Sequence, residues 1–167
     1  MAREGATSGR ERVKVYPSVE FRKLLGEMAE ERGDWQADYR LVTSQEDLAQ
    51  LLTQLSEVEE LVIDVERTGG SLPQAQLVGI SLSFKEGLAY YLPCNGKLSR
   101  KTVLEALKPL LRREGMRIVG HNIKSHMQIL AQNGVEVDCP AFDTMVAAYV
   151  LHPANQPFSL DSLSIEY

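Results

Sequence analysis

Leu61-Val62-Ile63-Asp64-Val65-Glu66 decides how the rest of this chain is read. It has the apolar run of a buried β-strand but carries two acids where core residues are expected. Side chains alternate across a strand, so Leu61, Ile63 and Val65 share one face while Val62, Asp64 and Glu66 share the other. The two carboxylates then lie roughly 7 Å apart along the strand. Burying two such acids is costly, and a counter-charge is expected, from a divalent cation or from a nearby Arg or Lys. The plainer reading is a strand that emerges into solvent at Asp64 and runs on as a polar turn.

Working outward, the segments before and after this strand alternate in period. Tyr39-Arg40-Leu41-Val42 predicts a short strand, and Thr43 with Glu46 a capping box. The helix behind it carries an apolar stripe of Leu48, Leu51, Leu52 and Leu55. After the turn chemistry of Thr68-Gly69-Gly70-Ser71, residues 76–84 and 88–92 form a hairpin about Lys85-Glu86-Gly87. Ser99 caps a helix to about Arg113, Met116 to Val119 is a short strand, and Asn122 starts the next helix, with Asn133-Gly134 at its end. Val135-Glu136-Val137 reads as a brief extended piece. Asp143 opens a further helix through Leu151. Three strands joined by hairpin-length turns are antiparallel neighbours, and later strands separated by helices join in parallel. The expected fold class is α/β, a mixed sheet of three antiparallel strands and then parallel ones, flanked by helices.

The composition fits this picture. The chain has 167 residues, 44% of them hydrophobic and 25% charged, enough for one sizeable core. A net charge of −5 argues against a generally basic coat for nucleic acid, so any such contact is local or carried through metal ions or a partner domain. Cys94 and Cys139 are too few for a disulfide framework and read as free thiols in a reducing compartment. No apolar run reaches membrane-spanning length and no signal peptide is evident, so the expectation is a cytoplasmic chain with no membrane association. Residues 1–36 divide into a flexible lead and a helix from Pro17-Ser18 to about Arg32, stopped by Gly33. The pattern from Leu160 to Tyr167 looks like a helix cut in mid-course, and a fragment of a longer protein is expected.

With that order in hand, particular residues become informative. Ile63-Asp64-Val65-Glu66, Leu77-Val78-Gly79-Ile80-Ser81 and Ala89-Tyr90-Tyr91-Leu92-Pro93 resemble the opening of the 3′–5′ proofreading exonuclease domain of the bacterial DNA polymerase I family (family A polymerases). Leu107-Lys108-Pro109-Leu110-Leu111, Val119-Gly120-His121-Asn122-Ile123-Lys124, Phe142-Asp143-Thr144-Met145 and Asp161-Ser162-Leu163 continue the match from about Tyr39 to the end. Val19-Glu20-Phe21-Arg22-Lys23-Leu24-Leu25 is similar to the last helix of the 5′-nuclease domain that precedes it in such polymerases. The resemblance implies a ribonuclease-H-like sheet over residues 37–167, truncated at its C-terminus, with 1–36 as the tail of the preceding domain. It also implies DNA 3′ ends as substrate, a polymerase domain of the same parent chain as partner, a nucleoid-associated location and a monomer.

In that family four carboxylates hold two divalent metals, and hard oxygen ligands suit Mg²⁺ or Mn²⁺. Residue by residue, Asp64 and Glu66 fall on the first motif and are the expected catalytic and metal-binding acids. Asn122 falls on the second motif's Asn and, with Leu72 and His121, is the expected substrate contact. The second motif's Asp should stand four residues after Asn122, where this chain has His126. The third motif should lie beyond Tyr167. An imidazole is a poor Mg²⁺ ligand and brings no negative charge when neutral. Arg67 and Lys124 could instead pair with the two acids. The expectation is therefore a weakened or inactive nuclease, with a silent structural domain and a ribonuclease D-like RNA-trimming enzyme as alternatives.

Other features have ordinary readings. His126 can equally be a partly buried core histidine, and His121 and His152 stand in no metal-ligand spacing pattern of the sequence and read as structural or exposed. Asp143 reads as an N-cap. Tyr90 and Tyr91 read as packing across an inner strand, and Gly69-Gly70 is not a phosphate loop. Arg112-Arg113 reads as a solvated pair at a helix end.

Overall fold

The structure, a computed structural model, describes residues 37–69, 74–138, 140–154 and 157–166. The expected helix at 17–32, the Gly70-Ser71 turn, Leu72 and Cys139 lie outside the described residues.

Among the described residues eleven elements follow one another: β1 (Asp38–Leu41), α1 (Gln45–Leu55), β2 (Glu60–Arg67), β3 (Leu77–Lys85), β4 (Leu88–Pro93), α2 (Arg100–Leu111), β5 (Arg117–Gly120), α3 (Ile123–Gln132), β6 (Pro140–Asp143), α4 (Thr144–Leu151) and α5 (Leu160–Glu166). The six strands form one sheet in the order β1-β4-β3-β2-β5-β6. β2, β3 and β4 are antiparallel neighbours; β5 lies parallel to β2, β6 parallel to β5, and β1 parallel to β4. The mixed α/β sheet expected from hairpin-length turns and helical crossovers is the one observed.

Register sorts the side chains into two faces. Ile63 pairs with Leu82 and Leu82 with Tyr90; Val65 pairs with Ile80 and Ile80 with Leu92. These rows are all buried. The α1 helix covers this side, where the Tyr90 hydroxyl donates to Gln54 Oε1 at 2.8 Å and accepts from Arg40. Leu48, Leu51 and Leu55 of α1 and Val103, Leu104, Leu107 and Leu111 of α2 complete one core with the sheet. The other face carries two polar rows, Asp64–Ser81–Tyr91 and Glu66–Gly79–Pro93. A Cβ at Gly79 would lie 2.2 Å from the Tyr91 hydroxyl oxygen, so only glycine lets the phenol lie down over β3.

The structure corrects three local expectations. The capping box of α1 is Ser44 with Asp47, not Thr43 with Glu46: Ser44 Oγ accepts from the Asp47 N–H, and the Asp47 carboxylate accepts from the Ser44 N–H at 3.1 Å. Both tetrads fit the motif, but the Val42 N–H is still bonded to the Tyr91 carbonyl, so the helix starts one residue later. The last strand is Pro140–Asp143 rather than 135–137. Val135 and Val137 bury their side chains without joining a ladder, while a proline is tolerated at the start of an edge strand. Arg112 is exposed at the helix end as expected, but Arg113 is not a simply solvated charge. Arg112 Nε meets Asp138 Oδ2 at 3.0 Å, and the Arg113 guanidinium donates to the carbonyls of Leu55, Ser56 and Val58. It thereby satisfies carbonyls at and just beyond the open C-terminal end of α1.

Candidate nuclease cleft

Asp64 and Glu66 stand on the open face of the second half of β2, as alternation requires. The Asp64 side chain is 55% exposed, so burial alone does not demand a counter-charge. Opposite them, α3 lies along β2 and supplies the other wall. A cleft of about 450 Å³ opens between the two, lined by Asp64, Glu66, Arg67 and Thr68 on one side and Asn122, Ser125, His126 and Ile129 on the other. The α3 residues recur at helical spacing, which puts them on one stripe.

The start of α3 is held in an unusual way. Asn122 has φ 56°, the left-handed region that Asn tolerates better than most residues, and its side chain makes no cap hydrogen bond to its own helix. The cap comes from Asp143 instead. Asp143 Oδ1 accepts from the Asn122 N–H at 3.0 Å and Oδ2 from the Ile123 N–H at 2.8 Å. Oδ1 also accepts from the N–H groups of Met145 and Val146 at its own helix start. One carboxylate thus caps α3 and α4 together. Asn122 Oδ1, free of capping, accepts from Ser125 Oγ at 3.0 Å and faces the cleft.

His126 Nε2 lies 3.2 Å from Asp64 Oδ1. The imidazole is largely covered, with 13% of its side chain exposed, and its Nδ1 is buried without a hydrogen-bond partner. Burial pushes its pKa below the ordinary histidine value, opposed by the neighbouring Asp64 charge. The neutral ring, its proton on Nε2, is the form this geometry favours. The partner of Asp64 is therefore the histidine itself. Lys124 is exposed on the far side of α3, where it borders a different groove with Met127 and Gln128. Arg67 reaches the Thr68 carbonyl with its guanidinium. His121 does not line the cleft; its Nδ1 is 2.9 Å from Thr144 Oγ1. Ser125 and Thr68, which do line it, carried no signal in the sequence beyond their helical or turn position.

Among the described residues the cleft presents two carboxylates, Asp64 and Glu66, and the first faces an imidazole, a poor ligand for Mg²⁺, so these residues do not by themselves make up the hard-oxygen set that a pair of divalent cations takes. Among the described residues no group of three or more His, Cys, Asp or Glu side chains is placed to hold a metal ion.

A mixed sheet in this strand order, with paired acids on a central strand and a helix closing over them, defines a 3′–5′ exonuclease-type domain. The family model described as 3′–5′ exonuclease matches residues 39–167, and the chain belongs to that family. It is similar to DNA polymerase I of Pseudomonas aeruginosa, 32% identical over 93% of this chain and 19% of that protein. Among solved structures it resembles the POL domain of Pol1 from M. smegmatis in complex with DNA primer-template and dNTP. The TM-score is 0.64 at 24% identity, covering 78% of this chain and 22% of that one. It also resembles Escherichia coli RNase D, with a TM-score of 0.61 at 20% identity, covering 78% and 33% of the two chains. These structural likenesses are ones of fold. The chain spans about a fifth of the length of the DNA polymerase I it matches. No helix among the described residues is long and apolar enough to cross a membrane.

Proposed function

We propose that this chain works as part of a DNA polymerase I-type protein, that its cleft receives the 3′ end of a DNA strand, and that hydrolysis there is attenuated or lost. In that reading Asp64 and Glu66 are the surviving acids, and Asn122 and Leu72 contact the terminal nucleotide. Residues 1–36 are the tail of the preceding 5′-nuclease domain. The match to the Pseudomonas polymerase supports that last point, because it covers 93% of the chain and so reaches ahead of residue 39, where the family model begins. The polymerase partner rests on the same relative, and DNA as the ligand rests on the family and on the fold shared with a polymerase bound to primer-template. An RNA-trimming role has only the fold in its favour.

One observation carries the attenuation: His126 meets Asp64 at 3.2 Å, where the family pattern has a third carboxylate. A family that uses divalent cations here meets, in this chain, a neutral or positive ring in place of an acid. The two remaining acids can still orient water and attract a cation, but without the third carboxylate the charge that gathers cations is smaller and one ligand fewer is offered. Digestion of a 5′-labelled single-stranded DNA with Mg²⁺ and with Mn²⁺ tests this on the chain, on Asp64→Ala and on His126→Asp. The expected result is no cleavage by the first two and measurable cleavage by His126→Asp. Cleavage by the parent that Asp64→Ala abolishes would overturn the attenuated reading.

A further inference from the structure

A second polar cavity, of about 430 Å³, lies beyond the cleft and is lined by Ala75, Gln76, Arg100, Gln132 and Asn133. It adjoins the first along two routes. On α3, Gln132 and Asn133 follow Ile129 of the cleft by one helical turn and so continue the stripe of Asn122, Ser125, His126 and Ile129. On the other wall, the Gln76 N–H donates to Thr68 Oγ1 at 2.9 Å and the Thr68 N–H to the Gln76 carbonyl, and Thr68 lines the cleft.

The second cavity has one charged group. Arg100 donates from Nη1 to Asn133 Oδ1 at 3.5 Å, and Asn133 is itself anchored by its Nδ2 to the Ile129 carbonyl. Arg100 Nε is buried and has no hydrogen-bond partner. A guanidinium N–H left unmatched away from bulk water is costly, and among the described residues no acid lines the cavity to answer it. Its fork geometry suits two oxygens of a phosphate, and exposed amides of Gln76 and Gln132 stand at the rim as further donors.

We propose that this cavity binds a backbone phosphate of the single strand whose 3′ end occupies the cleft, with Arg100 as the phosphate ligand. The proposal rests on the reading of the cleft as a DNA 3′-end site. Seven residues of helix separate His126 from Asn133, a rise of about 10 Å, so the phosphate belongs to the strand behind the terminal nucleotide. It also resolves an electrostatic difficulty. A chain of net charge −5 that presents two acids to a polyanion needs a local cation to hold the strand.

The test is the salt dependence of binding. A 5′-fluorescein-labelled oligodeoxythymidylate is titrated by anisotropy in EDTA with the chain, Arg100→Gln, Arg100→Lys and Lys85→Gln, the last removing a charge at the distant β3–β4 turn. Arg100→Gln is expected to weaken binding about tenfold at low salt and to flatten the plot of log K against log salt by about 0.7. Arg100→Lys and Lys85→Gln keep the parent slope, and the affinity for thymidine monophosphate, which cannot span both cavities, is the same in all four. If Arg100→Gln does not fold, Gln132→Glu, an acid on the exposed rim, is expected to weaken the oligonucleotide and spare the mononucleotide. A parent that binds with a slope Arg100→Gln leaves unchanged overturns this proposal alone. A parent that binds no oligonucleotide overturns the cleft reading as well.

Discussion

Removing the Asp143 carboxylate strikes fold and cleft at once, and its size can be worked from the contacts. The two oxygens accept four backbone N–H groups, from Asn122, Ile123, Met145 and Val146. Losing an N-cap costs about 1 kcal/mol, within a range of 0.5–2, and here two helices lose theirs together. The four donors are only partly open to water, which moves the sum upward. Asp143→Ala should therefore destabilise by roughly 2–4 kcal/mol, a fall in Tm of roughly 5–15 °C for a chain of this length. Asp143→Asn is the sharper variant. It keeps one acceptor oxygen but turns an NH₂ toward the Ile123 N–H, which Oδ2 now accepts at 2.8 Å, and should cost about 1–2 kcal/mol. Urea unfolding followed by circular dichroism reads both. If both variants lie within about 0.5 kcal/mol of the parent, the shared cap contributes nothing, and the tie between α4 and the start of α3 is wrong.

The remaining predictions concern single contacts. Gly79→Ala pushes a methyl into the Tyr91 ring and should destabilise by about 1–3 kcal/mol. Tyr91→Ala in the same chain should remove most of that penalty, as a double-mutant cycle would show. Arg113→Ala leaves the carbonyls of Leu55, Ser56 and Val58 short of a donor and should cost about 1.5–3 kcal/mol in urea unfolding, with Arg113→Lys, which lacks the fork, recovering little of it. For His126 the sign follows from burial. The folded chain holds this ring below its ordinary pKa of about 6.5, so the unfolded chain binds more protons in the window between the two values. Stability contributed by His126 is then complete above that ordinary value and is lost as pH falls through the folded one. His126→Gln should flatten that part of the curve, measured as urea midpoints between about pH 5 and pH 7.5; an unchanged slope would show that the ring titrates normally in the fold.

Much of the sheet was legible because its signals are local. The alternation in Leu61 to Glu66 foretold which side chains of β2 are buried, and the Lys85-Glu86-Gly87 turn foretold the β3–β4 hairpin. Helix starts at Ser99 and Asp143 were placed by their capping residues; the start at Asn122 was also placed, but its cap comes from Asp143. What failed was decided elsewhere in the chain. Whether Thr43 or Ser44 caps α1 depends on a backbone bond from Val42 to Tyr91, 49 residues away in sequence. The role of Arg113 depends on carbonyls 55 to 58 residues earlier. Nor does Val135-Glu136-Val137 differ in composition from a strand; the ladder position beside β5 simply went to Pro140–Asp143.

The cleft shows why the paired acids alone could not be assigned. Asp64 stands half exposed on a strand that is leaving the core, and it faces a histidine that the expectation of a cation, Arg or Lys had not included. The exposure means that desolvation did not have to be offset by a cation, so the spacing of the acids carries no information about metal. What makes the place a site is the wall opposite, and that wall is set by Gly120, where a Cβ would come within 3.0 Å of the Ile63 carbonyl oxygen. Close approach of β5 to β2 at this point brings the start of α3 over the acids, Asn122 turns the chain through a positive φ, and Asp143 fixes the turn. His126 then arrives one helical turn later, over Asp64. Position 126 is placed by the glycine, the left-handed residue and the double cap rather than by its own side chain. A single substitution at 126 can therefore alter the chemistry of the cleft while leaving the elements that define it in place.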